Sequence, residues 1–176
     1  NYLEILAKWQ GRFRLVGSID PAWVVPNLFL DSLLFLRAMP QRFDSVLDLG
    51  AGAGIPGIPL KIVLERVSFT LIEAKRRRAS FLTAVVRELG LSGAEVIGRR
   101  AEEVADDLGG SFDVVVTRCT GRMETMWPLA ARFLRPGGIA VASGPPSSKP
   151  LEIGSWIEVP GSHPGQSRRF AVLRRN

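Results

Sequence analysis

Cysteine is almost missing: Cys119 stands alone among 176 residues, which excludes an internal disulfide and any metal cluster built on cysteine. A reducing cytoplasm is the expected location, and no metal is expected. The one histidine, His163, falls in a Gly/Pro/Ser loop near the end of the chain and reads as solvated rather than catalytic. Lysine occurs only at positions 8, 61, 75 and 149, so the net charge of +6 and the pI near 10.4 come almost wholly from arginine. Guanidinium groups suit bidentate phosphate contacts and stacking on bases, so nucleic acid or another polyanion is the expected partner. The alternative is a solvated basic surface. No apolar run reaches the roughly 18 residues of a membrane span, and no secretory leader pattern opens the chain, so no membrane attachment is expected. Internal repeats and low-complexity tracts are lacking too. What is present, 46% hydrophobic residues over 176 positions, suffices for one globular domain with a sizeable core.

The most informative stretch runs from Ser45 to Leu60, SVLDLGAGAGIPGIPL. An apolar run breaks into clustered glycines and resumes with helical spacing, an order that predicts strand, tight turn and helix. Glycines let the backbone take positive φ and let a ligand approach closely, and the helix start beyond them offers free N–H groups. Pro56 and Pro59 fit the first helical turn, where no N–H partner is lost. Gly52 to Gly57 formally satisfies the dinucleotide pattern G-x-G-x-x-G. Asp48 argues for a different nucleotide-like guest, because a carboxylate at the strand end repels a pyrophosphate but not a sulfonium cofactor bearing an ammonium group. The expected cofactor is therefore S-adenosyl-L-methionine, cradled by Asp48, Gly50, Gly52 and Gly54. Glu73 ends the next apolar run, where a carboxylate can accept both ribose hydroxyls.

Along the rest of the chain, Asn1 to Arg14 place Tyr2, Ile5, Leu6, Trp9 and Phe13 at helical spacings. Asp20-Pro21 reads as an N-cap followed by proline at the first helical position, with an interruption at Pro26. From Val46 onward strands over 46–50, 68–73, 94–98, 113–118 and 138–143 alternate with helices over 56–65, 75–89, 102–108 and 122–134. Such alternation predicts an α/β fold with a parallel sheet covered by helices on both faces. Residues 155–159 and 169–173 are strand-like with no room for a crossover helix, so they pair antiparallel. The expectation is a single domain over 1–176, with an N-terminal helical segment (1–40) before a cofactor-binding core (45–176). Seven mostly parallel strands closing on an antiparallel hairpin are similar to the Rossmann-like sheet of class I methyltransferases.

Ligands of such sheets bind past the carboxyl ends of the strands, which singles out Gly50 to Gly54, Glu73, Arg100-Ala101-Glu102 and Arg118-Cys119-Thr120. Ala101 and Glu102 are expected beside the adenine, the alternative for Glu102 being a helix-start acid. After the fourth strand the turn that serves amine methylation of bases, an Asn or Asp followed by Pro-Pro-aromatic, is missing. Cys119 lacks the preceding proline of a pyrimidine-attacking thiolate and reads as a small packing residue. A nucleophile needing no deprotonation, such as guanine N7, is then the expected methyl acceptor. Arg118 is assigned to positioning cofactor and substrate, or alternatively to pairing with a core carboxylate.

These residues resemble the bacterial small-subunit ribosomal RNA guanine-N7 methyltransferases of the glucose-inhibited-division B type. The resemblance covers nearly the whole chain and is carried by Leu30-Asp31-Ser32-Leu33, by Leu47 to Leu60 with its Gly-Ile-Pro-Gly-Ile-Pro-Leu portion, by Leu71-Ile72-Glu73 with Lys75-Arg76 and Phe81-Leu82, by Arg100-Ala101-Glu102 and by Thr117-Arg118. It implies cofactor contacts at Gly50, Ile55, Ala101, Glu102 and Arg118, 7-methylguanosine in small-subunit (16S) ribosomal RNA as product, and a cytoplasmic enzyme. The chain departs from the family at Leu28, where histidine is usual, at Gln10, where asparagine follows the tryptophan, and at Ser143-Gly144, where Lys-Gly is common. Lys75-Arg76-Arg77-Arg78 opens a helix against its dipole, and these arginines, with Arg12, Arg14 and Arg42, are expected to meet RNA phosphates. The expected partner is small-subunit ribosomal RNA, free or in the 30S particle, bound by a monomer. Competing readings are a small-molecule or protein methyltransferase, a non-catalytic RNA-binding relative, and an NAD-dependent enzyme, which Asp48 and the terminal hairpin oppose.

Overall fold

The apolar runs and the glycines between them fold, in a computed structural model, into a seven-stranded sheet of order β3-β2-β1-β4-β5-β7-β6. The structure describes residues 1–118, 123–143, 151, 153–163 and 165–176. The strands are β1 (Ser45–Leu49), β2 (Ser68–Ile72), β3 (Ala94–Ile97), β4 (Phe112–Arg118), β5 (Leu134–Ser143), β6 (Ser155–Pro160) and β7 (Ser167–Arg174). The first five are parallel; β7 runs antiparallel to both β5 and β6. Strand order reverses between β1 and β4, which opens a crevice at their carboxyl ends.

Period-two alternation sorts the strand side chains onto two faces. Leu47, Leu49, Ile72 and Val115 pack with Val104 of α6 (Ala101–Val104) and with Trp127, Ala130 and Phe133 of α7 (Met123–Phe133). Val46, Val114, Val116 and Phe69 face the other way, onto Leu60 of α4 (Gly57–Val63) and Phe35. Leu71 meets Phe81, Leu82 and Val85 of α5 (Arg76–Glu88), and the same cluster takes in Ile5 and Leu6 of α1 (Tyr2–Gln10). Among the described residues no helix is long and apolar enough to cross a membrane.

Element boundaries differ from the expected ones where side chains intervene. Helix α1 stops at Gln10 rather than Arg14 because the Gln10 amide takes the N–H groups of Leu15 (2.8 Å) and Val16 (3.1 Å) and donates to the Val16 carbonyl. Asp20 caps α2 (Pro21–Val24) by accepting from the Ala22 N–H, and the interruption at Pro26 takes the form of a π-helical turn over Val25–Leu30, followed by α3 (Asp31–Leu33) and a 3₁₀ turn, Leu34–Arg37. Strand β5 begins four residues early, at Leu134. The Pro136-Gly137-Gly138 stretch falls where the pairing with β4 shifts register. Cys119, Thr120 and Gly144 lie outside the described residues, whereas His163 sits in the β6–β7 loop, its carbonyl accepting from Gln166.

Candidate functional site

Past β1 the chain turns through Gly50, Gly52 and Gly54, with φ of 75°, 60° and 78°. These are left-handed conformations that a side chain opposes. Gly54 is also the tightest: an added Cβ would stand 2.5 Å from Ile58 and 3.1 Å from Leu82. The N–H groups of Gly50 and Ala51 donate to the Ile72 carbonyl, pinning the start of the turn to the end of β2. Asp48 lies wholly buried beneath it and accepts from the Gly57 N–H at 2.8 Å, tying β1 to the first residue of α4. Burial pushes its carboxyl up to about 7, helped by Glu73 and opposed by the Gly57 N–H.

Glu73 joins two elements at once. One carboxylate oxygen accepts from Gly52 N–H at 2.9 Å and the other from Lys75 N–H at 2.7 Å. The carboxylate thus stands at the positive end of α5, beside the run of cations that opens the helix, and relieves the dipole conflict seen in the sequence. Above it lies a cavity of about 300 Å³ whose lining includes Gly50, Glu73, Arg78, Ala101, Glu102 and the apolar Ile72, Met126 and Leu129. The first-turn N–H groups of α6, at Ala101 and Glu102, have no helical carbonyl to meet and face outward from the helix start. The cavity therefore offers an acceptor pair, an apolar slot and peptide donors within one volume.

Of the residues singled out in the sequence, Gly50, Glu73, Ala101 and Glu102 come together around this cavity. Gly52 adjoins it through Glu73. Asp48, Gly54 and Ile55 lie behind the turn in the packed interior and do not line it. Arg118 occupies a different place, at the end of β4. It donates to the Asn27 carbonyl (3.1 Å) and pairs with buried Asp31 (3.1 Å), which also binds Arg168 of β7 at 2.7 Å. Burial pulls the Arg118 guanidinium below its usual range; Asp31 counters this and Arg168 adds to it. Thr117 joins the two regions by donating to the Leu49 carbonyl at 3.0 Å.

Arg76 and Arg77 are exposed, Arg78 is half-buried at the cavity, and Arg12 stacks on Trp9, which packs edge-on against Phe81 of α5. Arg12, in the turn just past the end of α1, thus lies beside α5, and Arg14 is exposed just beyond. Arg42, expected with them, sits instead at the amino end of the sheet, sharing a separate cavity with Asp44 and Arg135. Sequence reasoning left out Arg168, Asn27 and the α7 wall. Only Met126 and Leu129, at i and i+3 on α7, carried a usable signal. Among the described residues no group of three or more His, Cys, Asp or Glu could hold a metal ion.

A family model described as rRNA small subunit methyltransferase G matches residues 1–145. The chain belongs to that family. The ribosomal RNA small subunit methyltransferase G of Sorangium cellulosum is 35% identical over 161 residues, covering 89% of this chain and 67% of that protein. The protein of the same name from Streptococcus pyogenes serotype M12 is 35% identical over 149 residues, covering 81% and 62%. The chain spans about two-thirds of the length of these methyltransferase G relatives. In fold it is similar to a SAM-dependent methyltransferase from Aquifex aeolicus (TM-score 0.63, 17% identity, 100% of this chain and 99% of that one). It is also similar to TYW2 of P. horikoshii in complex with MeSAdo (TM-score 0.62, 14% identity, 85% and 62%).

Proposed function

We propose that this methyltransferase G family member transfers a methyl group from S-adenosylmethionine to guanine N7 of small-subunit ribosomal RNA, acting as a cytoplasmic monomer on the free RNA or the 30S particle. The observation that carries the reading is the Glu73 carboxylate, set beside Gly50 and facing a cavity with an apolar slot. The residues fit the cofactor. Glu73 would accept the ribose hydroxyls, Ile72, Met126 and Leu129 would enclose the adenine, Ala101 and Glu102 would meet its polar edge, and the Gly50–Gly54 turn would hold the amino-acid end. When bound, the sulfonium supplies an electrophilic methyl group to an in-line nucleophile, so that a C–N bond forms at N7 as the S–C bond breaks.

The protein's part is then to align the base and exclude water. N7 presents a lone pair and needs no general base. That agrees with Asp31, the buried carboxylate nearest Arg118, being committed to two guanidiniums. Arg118, held by Asp31 and the Asn27 carbonyl, orients the substrate, and Arg12, Arg14, Arg76, Arg77 and Arg78 hold RNA phosphates.

Glu73→Gln should weaken S-adenosylhomocysteine binding roughly tenfold, the effect of losing one charged hydrogen-bonding partner, as read by calorimetry on protein with an unchanged circular dichroism spectrum. Unaltered affinity, or binding of NAD instead, refutes the cofactor assignment. Replacing the two exposed arginines Arg76 and Arg77 by glutamine should lower the slope of log affinity for ribosomal RNA against log salt by about 0.9 for each phosphate no longer neutralised. S-adenosylhomocysteine affinity should stay as it was. A fall in that affinity with the salt slope intact would make the cluster structural.

A further inference from the structure

Helix α1 reaches the glycine turn through one polar atom. Tyr2 is buried, and its hydroxyl donates to the Ala53 carbonyl, 51 residues away and between the two left-handed glycines Gly52 and Gly54. Its ring stacks on Phe29 at 4.8 Å with an interplanar angle of 17°. Phe29 belongs to the π-helical turn whose Asn27 carbonyl holds Arg118. Seven residues further along α1, Trp9 packs on Phe81 of α5, the helix whose Arg78 lines the cavity. One helix therefore braces the turn, the cavity wall and the segment that fixes Arg118.

The buried carbonyl of Ala53 needs a donor, and the phenol is suited to be one. Burial keeps Tyr2 protonated well above the usual range of tyrosine, with Asp48 adding to the effect. The turn's own bonds, Gly54 N–H to the Ala51 carbonyl (2.7 Å) and Ile58 N–H to the Gly54 carbonyl (2.7 Å), hold it from within. Tyr2 holds it from without.

From this arrangement we infer that Tyr2 is a positioning residue for the methyl-donor site, setting the Gly50–Gly54 turn through its hydroxyl rather than merely filling the core with its ring. The inference rests on the proposed cofactor reading. Tyr2→Phe keeps the ring and its stack and removes only the bond to Ala53. Ile5→Ala, buried in the same cluster but with an apolar side chain that makes no hydrogen bond to the turn, is the control for simple loosening of α1.

Two measurements separate this inference from the reading beneath it. By calorimetry, Tyr2→Phe should raise the Kd for S-adenosylhomocysteine about tenfold with RNA affinity unaltered, while Ile5→Ala changes the Kd less than twofold despite an equal or larger loss of thermal stability. By hydrogen exchange without ligand, the Gly54 and Ile58 amides should exchange at least tenfold faster in Tyr2→Phe than in Ile5→Ala. An unchanged Kd for Tyr2→Phe, or an equal loss of affinity in Ile5→Ala, overturns the inference. Wild-type protein that binds no S-adenosylhomocysteine refutes the cofactor reading, and the exchange rates then decide by themselves whether Tyr2 sets the turn.

Discussion

Gly54→Ala is expected to destabilise the fold by about 3 kcal/mol, from the left-handed backbone and the crowding together, and to abolish measurable binding of S-adenosylhomocysteine. The residue stands at φ 78°, so alanine meets backbone strain before any crowding. Its methyl group would then press on Ile58 at 2.5 Å, on the Tyr2 hydroxyl at 3.0 Å and on Leu82 at 3.1 Å. None of the three has room to retreat, because each lies in the packed cluster beneath the turn. Relief has to come from the turn, which moves Gly50 and Gly52 away from the cavity. Urea denaturation gives the first quantity and calorimetry the second. A folded variant with undiminished affinity would show that the turn does not shape the donor site.

The second large effect is expected at Asp31. Its carboxylate, 5% exposed, is shared by Arg118 and Arg168, each roughly three-quarters buried. Asp31→Ala leaves two guanidiniums facing each other with no anion between them, a loss of about 3 kcal/mol for a buried pair with some solvent access. Arg118 then loses its aim, and a misplaced positioning group lowers methyl transfer to ribosomal RNA by about a hundredfold. Donor affinity should hold within a few-fold, because the cavity is built from other residues. Asp31→Asn, which keeps an acceptor but not the charge, should fall between. Single-turnover rates at saturating donor measure the effect. An undisturbed rate in a stable Asp31→Ala protein would remove Arg118 and its partners from the reaction.

The sheet was legible because period-two apolar runs bounded by Gly and Pro admit few other readings, and a terminal pair of strands too close for a crossover helix has to be antiparallel. Glu73, Ala101 and Glu102 were legible by position, since they follow strand ends next to the crevice. The structure brings them to one cavity with Gly50. Asp48 reads differently in three dimensions: strand alternation puts it on the face of Val46, toward α4, and the Gly57 N–H that holds it cannot be inferred from spacing alone. The partner of Arg118 could not be located from the chain. Pairing with a core carboxylate is a reading that the sequence allows for Arg118, but Asp31 lies 87 residues before Arg118 and Arg168 another 50 beyond, a contact made by topology rather than by a local pattern. Arg42 follows the same logic in reverse, since it precedes a strand and therefore lies at the end opposite the cavity.

Small-subunit ribosomal RNA lacking its N7 methyl groups, incubated with the purified chain and methyl-labelled S-adenosylmethionine and then digested to nucleosides, tests the reading most directly. Label should appear in 7-methylguanosine and nowhere else, at a stoichiometry near one per RNA. Label in another nucleoside, or none from a protein that binds S-adenosylhomocysteine, would contradict it.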